Sequence, residues 1–252
     1  MSESAPPTLA GSPLGPPNDE SKTSRAVRDM FVSVVPRYDF LNHLLSAGRD
    51  IAWRQATARA LREALAQPGS VAVDVCCGTG DLALALSRYS SGRVLGTDFC
   101  HPMLERAREK AAGNSAAVFF LEADTLSLPF ADDSLNVVST AFGFRNLAHY
   151  ARGLQEMRRV LKPGGTLAIL EFSRVNLPVI GPLFRFYFRK ILPRIGTLIS
   201  GVPGPYQYLP DSVSRFPDQP ALARLMSEAG FINVHFRNFF LGAAALHCGE
   251  KG

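Results

Sequence analysis

The sequence predicts an α/β fold: a doubly wound sheet, mostly parallel, with an antiparallel strand at its C-terminal edge. Three observations predict it. From Val71 onward, short apolar runs alternate with amphipathic helical stretches, the pattern of βαβ units on a parallel sheet. Gly78 and Gly80 follow the first apolar run, where a tight strand-to-helix turn needs backbone freedom. Two strand-like runs close the chain after Gly230, and a final β-β pair adds an antiparallel edge.

The elements follow in order. Residues 1–24, rich in Pro, Ser and Gly, read as a disordered tail and lack the basic and apolar regions of a signal peptide. Arg25 to Val35 and Ile51 to Leu65 read as helices, so 25–66 form an N-terminal helical lid. VAVDV (Val71 to Val75) is a buried strand, CCGTGD a turn and LALALSRY a helix. RVLGTD (Arg93 to Asp98) is the second strand, followed by a helix from Pro102 to about Ala112, with proline suited to the first turn. AVFFLEAD and SLNVVSTAF are strands, then come a helix to Leu161, a KPGG turn, and the strand TLAILEF. A helix from Gln219 to Ala229 is closed by Gly230. Residues 25–252 therefore make one domain, with 174–209 as an insertion too long for a plain connection.

The 252 residues are 46% hydrophobic and 19% charged, a globular composition. No apolar run approaches the length of an ordinary membrane-crossing helix. Four cysteines, with Cys76 and Cys77 adjacent, fit reduced thiols and a cytoplasmic chain better than a disulfide framework. The formal charge is +5, yet residues 1–150 carry 14 basic and 16 acidic side chains. The excess matches one acid-free stretch with Arg174, Arg185, Arg189, Lys190 and Arg194. There Phe184, Tyr187, Phe188, Ile191 and Ile195 share one helical face. A basic amphipathic segment suits the inner face of an anionic membrane or a lid over an apolar substrate. The slightly acidic first 150 residues argue against a nucleic-acid partner, which calls for basic residues across an exposed groove.

The strongest motif is Asp74-Val-Cys-Cys-Gly78-Thr79-Gly80-Asp81. Asp98 ends the second strand, where an acid can accept both hydroxyls of a ribose. Gly78-x-Gly80-x-x-Ala83 also fits the dinucleotide fingerprint, but Asp74 and Asp81 flank a turn that a pyrophosphate needs free of anions. S-adenosylmethionine has no phosphate and carries an ammonium and a sulfonium, so acids there are favourable. Asp124 and Thr125 follow the third strand, where a carboxylate can accept an adenine amine. Phe142-Gly143-Phe144-Arg145-Asn146 follows the fourth, again at the carboxyl edge where open α/β sheets bind ligands.

The chain resembles the ubiquinone/menaquinone biosynthesis C-methyltransferase family, and its demethylmenaquinone branch most closely. The matching stretches are the Arg37-Tyr38-Asp39-x-Leu41-Asn42 block with Asp50 and Trp53-Arg54, DVCCGTGDLA, LPFADDSLNVV with AFGFRN, and Arg159-Val-Leu-Lys-Pro-Gly-Gly165 running into Leu170-Glu-Phe-Ser173. LPRIG, Tyr206-x-Tyr208-Leu209 and Ala245-Leu246-His247-x-Gly249 also fit, so the resemblance spans about residues 25–251. It implies a class I S-adenosylmethionine-dependent methyltransferase, Rossmann-like and without a metal. The implied reaction is C-methylation of a polyprenyl demethylmenaquinol to menaquinol. The 2-polyprenyl-6-methoxy-1,4-benzoquinol of ubiquinone synthesis is the alternative substrate. Donor contacts are implied at Asp74, Gly78, Thr79, Gly80, Asp98, Asp124 and Thr125, and at Ala141, where some relatives carry serine and only the backbone contributes. Arg145, Asn146, Tyr38 and His247 are the catalytic candidates. Arg145, always charged, suits stabilising a phenolate; His247 has an ordinary pKa fit for a base. A homo-oligomer is compatible with all of this.

Overall fold

The computed structural model describes residues 11–12, 19–35, 39, 43, 46, 48–113, 118–175, 178, 181, 186 and 204–252. Tyr38 and the aromatic stripe from Phe184 to Ile195 lie outside the described residues.

The chain runs α1 (Glu20–Val34), α2 (Arg49–Ala60), α3 (Arg62–Leu65), β1 (Val71–Val75), α4 (Asp81–Ser87), β2 (Arg93–Asp98), α5 (His101–Ala112), β3 (Val118–Glu122), β4 (Leu135–Ala141), α6 (Tyr150–Val160), β5 (Leu161–Phe172), α7 (Gly204–Arg215), α8 (Gln219–Glu228), β6 (Phe231–Phe239) and β7 (Ala244–Lys251). The seven strands lie in the order β3-β2-β1-β4-β5-β7-β6. β1 to β5 pair in parallel. β7 pairs antiparallel with both β5 and β6, so the antiparallel strand sits one place in from the edge.

Both sheet faces are covered, and strand residues alternate between two cores as a strand's period of two requires. Val73, Val75 and Val138 pack with Phe144, Tyr150, Leu154, Met157 and Met226 on one side. Ala72, Val137 and Leu170 pack with Trp53, Leu65, Leu82 and Leu86 on the other. Leu154 and Met157 are fully buried, each worth about 2 kcal/mol of transfer free energy.

Three elements differ from the sequence reading. Helix α1 begins at Glu20, inside the expected disordered tail, because Asp19 caps it by accepting the Lys22 amide at 3.0 Å. Gly11 and Ser12 also pack on the domain. The KPGG segment falls within β5 as an irregularity: Leu135 pairs with Leu161 but Val137 with Thr166, and Gly164 takes φ +75°.

Candidate active site

The loops that follow β1, β2, β3 and β4 converge at the carboxyl edge of the sheet, around a cleft of about 840 Å³. Its lining includes Asp74, Gly78, Thr79, Asp98, Asp124, Thr125, Ala141 and Asn146, so most of the residues singled out in the sequence come together. Phe31 and Ser24 from α1 close one side.

The loop after β1 turns sharply, with Cys76, Gly78 and Gly80 all at positive φ (50°, 53° and 83°). Gly80 does not line the cleft; it shapes it. A Cβ on Gly80 would lie 2.9 Å from the Phe120 ring, so a side chain there meets both backbone strain and a clash. Gly143 is needed for a different reason: its added Cβ would sit 2.4 Å from the Cys76 Cβ. The loops after β1 and β4 thus touch directly. The Cys76 and Cys77 thiols are pushed up by burial, which makes them poor nucleophiles.

Asp98 is held by the loop it faces. Its carboxylate accepts the Gly78 amide at 2.8 Å and the Cys100 amide at 2.9 Å. Asp74 accepts the Ser139 hydroxyl at 2.9 Å across the β1–β4 ladder. Burial raises Asp74 to about 7 and Asp98 to about 6. Asp124 accepts the Leu126 amide at 2.9 Å, as a turn residue does, while still lining the cleft. Thr125 lies 3.2 Å from the Cys76 sulfur.

Among the described residues, four carboxylates line the cleft (Asp74, Asp81, Asp98, Asp124) and one guanidinium, that of Arg54. Arg54 is itself paired with Asp50. A pyrophosphate would meet these acids at close range, whereas an ammonium and a sulfonium would be stabilised by them. The donor set therefore fits S-adenosylmethionine.

The Asp39 segment is pinned to this loop by a cluster the sequence reading did not assemble. Asp39 accepts the Thr79 hydroxyl at 2.5 Å, and Lys110 bridges Asp39 (2.9 Å), Asp81 (2.5 Å) and the Thr79 oxygen (3.0 Å). Arg54, one of the residues that carry the family resemblance, is not among the site candidates; its spacing of one helical turn from Asp50 predicts their pair.

Two catalytic candidates lie away from the cleft lining. Arg145 is buried, and its guanidinium pairs with both Glu171 oxygens at 3.1 and 3.2 Å and donates to the Phe142 carbonyl. It clasps the loop after β4 rather than facing a ligand. His247, on β7, is 2% exposed and lies 3.0 Å from the Gln219 carbonyl through Nε2. Burial lowers its pKa to about 4, and the structure does not bring it to the cleft. Asn146 does line it, with its Oδ1 accepting the Tyr208 phenol at 2.8 Å.

The model of the ubiE/COQ5 methyltransferase family matches residues 18–251. The chain belongs to that family. Among curated relatives, the demethylmenaquinone methyltransferase of Deinococcus radiodurans is 45% identical over 94% of this chain and 97% of its own. That of Thermus thermophilus is 47% identical over 88% of this chain and all of its own. The ubiquinone/menaquinone biosynthesis C-methyltransferase of Geobacter sulfurreducens is 42% identical over 90% and 88%. Distant solved structures share the fold. A methyltransferase from Aquifex aeolicus has a TM-score of 0.54 at 20% identity, covering 77% of this chain and 88% of its own. The [4+2]-cyclase SpnF scores 0.65 at 17%, covering 96% and 98%. A cyclase on this fold shows that the architecture alone does not name a reaction. For this ubiE/COQ5 family member, the acid-lined cleft carries that argument.

Proposed function

We propose that the protein methylates a ring carbon of demethylmenaquinol, using S-adenosylmethionine, to give menaquinol. The observation that carries this is a cleft lined by four carboxylates in a chain 39–47% identical to proteins named demethylmenaquinone methyltransferase. S-adenosylmethionine supplies an electrophilic methyl on a sulfonium. Asp74, Asp98, Asp124, Thr79, Thr125 and the backbones of Gly78 and Ala141 hold the donor, with Gly80 shaping the loop. Asp81 and Lys110 keep the Asp39 end of the lid against it.

Ring carbon is a weak nucleophile until the adjacent hydroxyl loses its proton and pushes electron density to the ortho position. The chain's task is to orient that carbon, exclude water and favour the phenolate. As the carbon–carbon bond forms and the sulfur–carbon bond breaks, the ring hydrogen leaves as a proton. Asn146 faces the quinol, and Arg145 acts through the loop it clasps. No group of three or more His, Cys, Asp or Glu placed to hold a metal ion occurs among the described residues.

The substrate's isoprenoid tail calls for peripheral docking at the inner face of the cytoplasmic membrane. No helix among the described residues is long and apolar enough to cross one. Beyond the basic insertion, the β6–β7 turn supports docking. Phe240 and Leu241 are about half exposed in left-handed conformations, Ile51 is exposed nearby in sequence to Arg49, and the Arg49 guanidinium lies 4.2 Å over the Phe240 ring. Apolar tips beside a cation suit an anionic lipid interface.

The test is incubation with methyl-labelled donor and reduced demethylmenaquinone or the ubiquinone-pathway benzoquinol, followed by product identification. Label in menaquinol supports the proposal. Label only in the benzoquinol product shifts the substrate, and label in neither overturns it.

A further inference from the structure

Gly11 and Ser12 precede residue 18, where the family match begins, yet they press on the cleft wall. The Ser12 amide donates to the Leu147 carbonyl at 2.7 Å. A Cβ on Gly11 would lie 2.1–2.2 Å from the Leu147 and Ala148 carbonyls, so this backbone runs directly against two residues that line the cleft. Ser12 is 7% exposed, and its hydroxyl lies 3.0 Å from the Tyr208 phenol. Tyr208 in turn donates to Asn146 Oδ1 at 2.8 Å, while Asn146 Nδ2 donates to the Phe142 carbonyl at 3.4 Å.

A phenol has one hydrogen to give. Because Tyr208 gives it to Asn146, the Ser12 contact must run the other way, with the serine donating. The Ser212 hydroxyl also reaches the phenol, as a second donor to its oxygen. By donating to the phenolic oxygen, Ser12 occupies its accepting side and leaves the phenol's hydrogen directed at Asn146. The Asn146 amide is then fixed, oxygen toward Tyr208 and nitrogen toward Phe142.

We infer that Ser12, contributed by a segment outside the family match, is a positioning residue that sets the orientation of Asn146 through Tyr208. The inference rests on the proposed function insofar as Asn146 faces the quinol. Gly11 is the residue that lets the segment approach closely enough to do this.

The test uses the full chain and the variants Ser12→Ala, Ser12→Thr and Gly11→Val. Ser12→Ala should lower the turnover of demethylmenaquinol about fivefold, the worth of one hydrogen bond, with the donor KM unchanged. Ser12→Thr should restore it, and Gly11→Val should reproduce the loss. Independently of any substrate, the Asn146 side-chain amide signals in a ¹⁵N NMR spectrum should move in Ser12→Ala and return in Ser12→Thr. Amide signals that stay in place in Ser12→Ala overturn the inference, as does turnover unaffected in an otherwise active enzyme. If the parent chain methylates no quinol, the proposed function fails, and the amide signals still decide the role of Ser12.

Discussion

Asp74 sets the protein's need to bind a cation against its own stability, and Asp74→Asn separates the two. The carboxyl is buried beside Ser139 and ionises at about 7 in the fold against 3.8 ordinarily. Raising the pH from 4 to 7 therefore strips a proton that the unfolded chain gives up readily and the folded chain does not. Folding stability falls across that window and levels off above it. The gap from 3.8 to about 7 corresponds to about 4 kcal/mol at the ceiling. Asparagine still accepts the Ser139 hydroxyl but carries no charge. In thermal denaturation at pH 8, the variant should unfold up to about 8–16 °C higher than the parent, with the difference vanishing near pH 4. Saturating S-adenosylmethionine should narrow it, because the parent gains about 2.7 kcal/mol at a hundredfold excess over Kd and the variant much less. A difference independent of pH, or a less stable variant at pH 8, would refute the reasoning.

Other substitutions probe the rest of the site. Lys110→Met removes the bridge between Asp39 and Asp81, a partly exposed pair of contacts worth about 1 kcal/mol; calorimetry should show the donor product S-adenosylhomocysteine binding about fivefold more weakly, and unchanged affinity would remove the lid from donor binding. Arg145→Ala leaves Glu171 buried and unpaired, which costs about 3–5 kcal/mol. Its Tm should fall sharply, and turnover should drop more than donor affinity; an unchanged Tm contradicts the clasp. His247→Gln keeps a donor for the Gln219 carbonyl and should leave turnover within about twofold, whereas a loss of the basic or acidic limb of the rate–pH profile would restore the histidine as a base.

The parts legible in the sequence were those whose signal is local. The first two strands match the predicted bounds residue for residue, since an apolar run ending in Asp-x-Cys-Cys-Gly leaves little freedom. Asp74, Asp98 and Asp124 were found because each ends or follows a strand on the same edge. Long-range partners carried no such mark. Glu171 neutralises Arg145 across 26 positions of sequence, so an arginine that reads as a free cation is a structural clasp. Lys110 reaches Thr79 across 31, on a helix whose surface pattern is ordinary. His247 looked titratable until its burial was known. Gly11 and Ser12, set among prolines and glycines, read as disordered because composition reports average burial and misses one backbone contact.

The direction of β7 has a practical consequence. Because it runs against its neighbours, it leaves the cleft edge at Ala244 and delivers the chain to the opposite edge, where Lys251 pairs with Phe231. Anything joined after Gly252, whether a purification handle, a fluorophore or a surface linker, hangs from the side remote from chemistry. The same attachment ahead of Gly11 would pull on the wall of the reaction chamber.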